Sequence, residues 1–161
     1  MPARTWVLDA WVLGVLADGL KADASLPETS RVGAGVAFLH QMESAGHRVA
    51  VDSEGKIERE YRDRMAGCRW LQHWWARMQR VAGRVHRRPS NLERRHSEHL
   101  LHDLEFHYDD LPYVAVASQV SNTLLVSEDS DYTEAVKDYL KRELGLAVLT
   151  LNDALEQVRD P

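Results

Sequence analysis

The sequence predicts an α/β domain, a mostly parallel sheet with helices on both faces in three layers. Two patterns carry this. Short apolar runs rich in β-branched and aromatic residues (TWVL at 5–8, RVAV at 48–51, TLLVS at 123–127, AVLT at 147–150) alternate with segments of helical periodicity. Strands separated by helices pair in parallel, because each crossover carries the chain back over one face of the sheet. With 161 residues, 44% of them hydrophobic, the chain has room for a single domain over 1–161 whose core needs neither disulfide nor structural metal.

The elements follow in order. The first strand, 5–8, ends at Asp9, and Val12, Leu13, Val15 and Leu16 then turn inward on a helix over 11–20. The polar stretch ADASLPE, 22–28, reads as a loop. A second helix is expected from Thr29 to Ala45, stopped by Gly46, and its GAG at 33–35 suits close helix packing. After the strand at 48–51, Asp52 or Ser53 caps a long helical segment over 54–82, with Ile57, Tyr61, Met65, Leu71, Trp74 and Met78 as its apolar positions. Pro89 and Ser90 break the chain, and a further helix is expected from 90 or 91 to Phe106. Another opens at Asp109, with Pro112 tolerated in its first turn. The strand at 123–127 leads into the acidic turn EDSD and a helix over 132–143, ended by Gly145. A strand AVLT and a short helix after Asn152 close the chain.

Composition excludes several classes. One cysteine, Cys68, cannot form an internal disulfide, which fits a reducing cytoplasm. Asp9 interrupts the apolar N-terminus, no cleavage pattern follows it, and no run approaches the roughly 18 apolar residues of a membrane span. The expectation is a cytoplasmic protein with no membrane partner. A net charge of −5 argues against a surface that attracts nucleic acid everywhere, but the charge is uneven. Arg69, Arg77, Arg80, Arg84, Arg87, Arg88, Arg94 and Arg95 face only Glu93 between 69 and 95, and the chain turns acidic from Glu98. A solvated helix face explains such a run; so does a basic arm that holds phosphates near carboxylates.

Ligands of open parallel sheets bind beyond the carboxyl ends of the strands. Asp9 follows the first strand, and Asp129 and Asp131 follow TLLVS. Glu60 lies two turns into the helix after RVAV, and Asp110 opens the helix before TLLVS. Each acid alone is as readily a helix cap or surface charge. Converging at one end of a sheet, they repel one another unless a cation intervenes. Oxygen ligands select a hard ion, Mg²⁺ or Mn²⁺, which can polarise a phosphodiester.

VLDAWVL, IEREYRD, DLPYVAVA and LLVSEDSDY, in that order and spacing, resemble the motifs of the PIN-domain family, and AVLTLNDAL is similar to its last strand and helix. The resemblance covers nearly the whole chain. It implies a PIN-like three-layer α/β/α fold with a four- or five-stranded sheet, and Mg²⁺- or Mn²⁺-dependent hydrolysis of single-stranded RNA. Carried over, it makes Asp9, Glu60, Asp110 and Asp129 metal-binding catalytic residues and Asp131 an outer or water-mediated ligand, while Arg84, Arg87 and Arg88 of the basic stretch would grip RNA. Many members are toxins, so an antitoxin or other protein partner and a homodimer stand as options. One departure is Trp11, where the family places Asn, Ser or Thr; it favours the alternative of a PIN-like RNA-binding or protein-assembly module with little or no turnover.

Other constellations compete. His96, His99 and His102, with His107 beyond, sit at a spacing that can bind zinc, but HSEH is not the zinc-protease arrangement, and a helix face explains it. Trp70, Trp74 and Trp75 could stack bases, although helical spacing favours the core. GAG lacks the third glycine of a dinucleotide fingerprint, and Cys68 has no His–Asn pattern around it. A haloacid-dehalogenase-like phosphatase would need an acid where Trp11 stands, a receiver domain needs a different order of acids, and a flap-type nuclease needs an added helical module.

Overall fold

A computed structural model describes residues 2–22 and 30–159. The loop expected over 22–28 falls, apart from Ala22, outside them, as does Thr29. The described residues form five strands, β1 (Thr5–Leu8), β2 (Arg48–Asp52), β3 (Val85–Arg88), β4 (Thr123–Val126) and β5 (Ala147–Leu149). They make one sheet in the order β3-β2-β1-β4-β5, every neighbour parallel, as the alternating pattern predicts. The eight α-helices are α1 (Ala10–Ala22), α2 (Arg31–Ser44), α3 (Lys56–Met65), α4 (Arg69–Arg80), α5 (Arg94–Glu98), α6 (Leu111–Ser118), α7 (Glu134–Leu144) and α8 (Leu151–Arg159). The fold is α/β in three layers. Helices α1, α2 and α8 pack together, α3 joins them through α1 and carries α4, and α6 lies over β1, β2 and β4. No helix among the described residues is long and apolar enough to cross a membrane.

The sheet interior accounts for the strands. Trp6, Val7, Leu8, Val49, Ala50, Val51, Leu125 and Val126 have no exposed surface, and Trp6 meets Phe38 of α2 edge to face at 4.9 Å. At roughly 25 cal/mol per Å² of apolar surface, these buried side chains supply the main drive to fold. Local caps set the helix starts. The Ser30 hydroxyl accepts from Gly33 N–H, Thr133 from Val136 N–H, and the fully buried Asp52 carboxylate accepts from both Lys56 and Ile57 N–H at 2.9 and 2.8 Å.

Three elements depart from the sequence expectation. The helix expected over 54–82 is two helices, because Gly67 takes a left-handed φ of +77° and Cys68 N–H turns back to Met65 carbonyl. The helix expected up to Phe106 is five α-helical residues, then a π-helical turn at His99–Asp103 that stops before Glu105, whose φ is +53°. The basic stretch also contains a strand, β3. It pairs only with β2, and its four residues VHRR lie half-buried or exposed, so it lacks the apolar run by which a central strand is recognised.

Candidate metal centre

The carboxyl ends of β1 and β4 lie side by side, with Leu8 opposite Val126. Asp9 N–H donates to Val126 carbonyl at 3.0 Å, and Asp9 carbonyl then accepts from Val12 N–H as α1 begins. This turn fixes the Asp9 carboxylate at the seam between the strands, 3% exposed. Its Oδ1 accepts from Trp11 N–H at 3.0 Å and its Oδ2 from Ser127 Oγ at 2.7 Å. Position 11 thus contributes its backbone amide, while the Trp11 ring packs against the core under the Arg31 guanidinium, 5.6 Å away.

Ser127 links two acids. Its Oγ donates to Asp9 and accepts from Asp129 N–H at 3.1 Å, and Asp129 Oδ1 accepts in turn from Asp131 N–H at 3.0 Å. The EDSD turn is therefore held by its own backbone, which points Asp129 and Asp131 at the end of the sheet. Asp110 ends a 3₁₀ turn, Tyr108–Asp110, and its side chain shares a hydrogen bond with Asp131. Glu60, half-buried on α3, accepts a short hydrogen bond from the Tyr113 hydroxyl of α6. That same hydroxyl accepts from Ala10 N–H at 3.3 Å, and the neighbouring Tyr61 hydroxyl donates to Leu8 carbonyl at 2.6 Å.

The electrostatics show that these acids share one neighbourhood. Burial raises Asp9 above the usual carboxylate range, and the charges of Asp129 and Glu60 raise it further against the lowering effect of Ser127 and Trp11. Asp110 is pushed up to about 8, first by burial and then by Asp9, Asp131 and Asp129. Tyr113 and Tyr132 are raised by burial and by nearby acids. Among the described residues, no ion pair joins a lysine or arginine to Asp9, Glu60, Asp110, Asp129 or Asp131. Burial without a paired cation disfavours the charged forms of Asp9 and Asp110.

The five acids are not equally close. Asp110, Asp131 and His107 offer ligand atoms all within 4.8 Å of one another, and Asp9, Asp129 and Glu60 surround them more loosely. Sequence reasoning placed His107 only as a remote member of the histidine run. Its position three residues before Asp110, across the 3₁₀ turn, is the signal that brings it in. No sequence signal points to Tyr132, whose buried hydroxyl has no hydrogen-bond partner among the described residues and lies near Asp9, Asp110, Asp129 and Asp131. The donors present fit a divalent ion: several hard oxygens, one imidazole nitrogen, excess negative charge and an orphaned polar atom beside them.

The other predicted residues lie elsewhere. Arg84 is at the opposite end of the sheet, where its Nη1 donates to the carbonyls of Glu43 and His47. Arg87, near the carboxyl end of β3, is paired with Glu58 at 3.0 Å, and Arg88 lines a separate cleft. A cleft of about 280 Å³ beside Glu60 is flanked by Lys56 and Arg59 together with Asp63, Asp109 and Tyr108, the last 64% exposed with the Lys56 ammonium 5.7 Å from its ring. His96 and His99 of the histidine run lie outside the candidate metal group: His96 is buried against the Tyr139 hydroxyl at 2.7 Å and His99 pairs with Asp103. Trp74 and Trp75 are buried, and Trp70 packs against the core.

The chain matches no known family model, no curated protein and no solved structure.

Proposed function

We propose that this protein is a Mg²⁺- or Mn²⁺-dependent endoribonuclease that hydrolyses single-stranded RNA, with the PIN-like motifs of the sequence at its active site. The observation that carries the proposal is the convergence of Asp9, Glu60, Asp110, Asp129 and Asp131 from four separate segments, with no lysine or arginine among the described residues in an ion pair with them. Asp110, Asp131 and His107 would hold the ion, with Asp9 and Asp129 nearby. When bound, a divalent ion supplies Lewis-acid polarisation of a phosphodiester and neutralises charge at phosphorus. The imidazole in this set favours Mn²⁺ over Mg²⁺.

The chain's own residues do the rest. Ser127 and the Trp11 amide orient Asp9, and the Tyr113 hydroxyl orients Glu60 toward the cleft. A cation held here would favour the ionised form of Asp110, so loading the site would release acid. Lys56 and Arg59 attract the RNA backbone, and the exposed Tyr108 ring offers a base a stacking surface beside Glu60. Arg84, tied to two carbonyls, has no part in the grip, and Arg87 reaches RNA only by leaving Glu58.

The second reading, a module that binds RNA or protein with little turnover, has one observation in its favour. Both Asp9 oxygens already accept hydrogen bonds, which leaves each fewer lone pairs for an ion. Cleavage of a labelled single-stranded RNA with and without Mn²⁺ separates the two. The nuclease reading expects metal-dependent cutting that falls at least about 100-fold in Asp110→Asn and in Asp129→Asn. Wild type that binds RNA yet cuts no faster than Asp129→Asn establishes the module.

A further inference from the structure

A second cleft lies away from the carboxylates. It has a volume of about 600 Å³ and opens near the amino ends of the strands, where Thr5, Arg48, Thr123 and Ala147 line it. Its charged side chains are all basic: Arg4, Arg48, Arg88 and Lys141, with His86 among them. In a chain of net charge −5 this clustering does not follow from composition. Arg48, Arg88 and Lys141 have no carboxylate partner among the described residues, and Arg4 donates to the neutral Gln157 at 2.9 Å.

Register explains how the cations come together. Arg48 is opposite Thr5, His86 opposite Ala50 and Arg88 opposite Asp52, so Arg48, His86 and Arg88 project from one face of the β2–β3 edge. Helix α6 covers β1, β2 and β4, and edge strand β3 extends past it. Lys141 closes the cleft from α7. His86 Nδ1 is buried without a hydrogen-bond partner, and burial together with Arg48 and Arg88 lowers its basicity. Clustered like charges repel, and an anion relieves that repulsion.

We infer that this cleft is a second, metal-independent binding site for a phosphate group, carried by a free phosphate or by an RNA strand. Two or more cations converging on one anion suit the double charge of phosphate, and Ser121 and Asn122 add neutral hydrogen-bonding groups at its wall. No Phe, Tyr or Trp lines the cleft, so it offers charge without a surface for base stacking. Recognition there is of phosphate, independent of base.

The test is run in EDTA, which separates it from any failure of the ribonuclease reading. The His86 imidazole resonances are followed by NMR while inorganic phosphate, or a short single-stranded oligoribonucleotide, is added to the full chain. The expected result is a saturable shift of His86, weakened roughly tenfold or more in Arg48→Gln/Lys141→Gln, whose two sites are solvent-exposed and leave the core intact. A shift with phosphate alone identifies a free phosphate compound as the ligand. A shift at lower concentration with the oligonucleotide, falling steeply with salt, identifies the RNA backbone. No shift with either probe, or equal affinity in the double variant, overturns the inference.

Discussion

Asp110 concentrates the electrostatics of the acid site in one carboxyl group. In the metal-free fold it keeps its proton to about pH 8, whereas its unfolded value is 3.8. Between those values the native state holds a proton that the unfolded chain has lost, so stability falls as pH rises through that window and levels off above it. Asp110→Asn cannot ionise. Urea unfolding in EDTA should find it more stable than wild type at pH 9, by about 1–2 kcal/mol once solvent screening is allowed for, and near equal at pH 4. A variant advantage that is the same at both pH values would place the proton on another group. Ser127 acts differently. Ser127→Ala removes the one donor to Asp9 Oδ2 and the acceptor for Asp129 N–H, which should cost about 1–2 kcal/mol and weaken Mn²⁺ roughly 10-fold or more by calorimetry. An unchanged Mn²⁺ affinity would show that Asp9 needs no orienting partner.

Helix packing tests the reading of the GAG stretch. A Cβ at Gly35 of α2 would overlap the Leu16 side chain of α1, and Leu16 is fully buried with nowhere to move. Helix propensity alone would favour alanine by up to about 1 kcal/mol, but overpacking costs about 1–3. Gly35→Ala is therefore expected to lower the urea midpoint, and a raised midpoint would mean that α1 and α2 can slide apart freely. Close packing of this kind was legible because a small-residue pair inside a helix has few other uses. Strand β3 was not legible, because edge strands carry charge where central strands carry apolar residues, and VHRR resembles the helical basic run before it. The break at Gly67 was hidden because Leu71, Trp74 and Met78 continue the apolar spacing of Ile57, Tyr61 and Met65 across it. Asp9, Asp110, Asp129 and Asp131 were legible for a topological reason: each sits near the end of a strand or the start of a helix that an apolar run locates, while Glu60, inside α3, was legible only through the IEREYRD resemblance. His107 and Tyr132 join through a 3₁₀ turn and a buried ring, and neither leaves a periodic trace.

At the scale of the molecule, acids gather beyond the carboxyl ends of β1 and β4, while a cleft whose charged side chains are all basic opens near the amino ends of the strands, with Arg88 lining it from the last residue of β3. Only the acid end is expected to respond to metal, and that response should be coupled to folding. An ion that binds the native chain alone stabilises it by about 2.7 kcal/mol at one hundred times its dissociation constant, which for a domain of this length raises Tm by roughly 5–10 °C. Because Asp110 must give up its proton, Mn²⁺ affinity should rise with pH up to about 8 and flatten above, so the Tm gain at a fixed subsaturating Mn²⁺ concentration should be larger at pH 8 than at pH 6. The comparison with His107→Ala decides whether the imidazole is a ligand. His107 is exposed, and its Nδ1 accepts only a long hydrogen bond from Asp109 N–H at 3.3 Å, so its loss should lower the Tm in EDTA by no more than a few degrees while reducing the Mn²⁺ gain. Equal gains in both proteins would confine the ion to the carboxylates, and the absence of any gain in wild type would remove the metal, and with it the proposed chemistry.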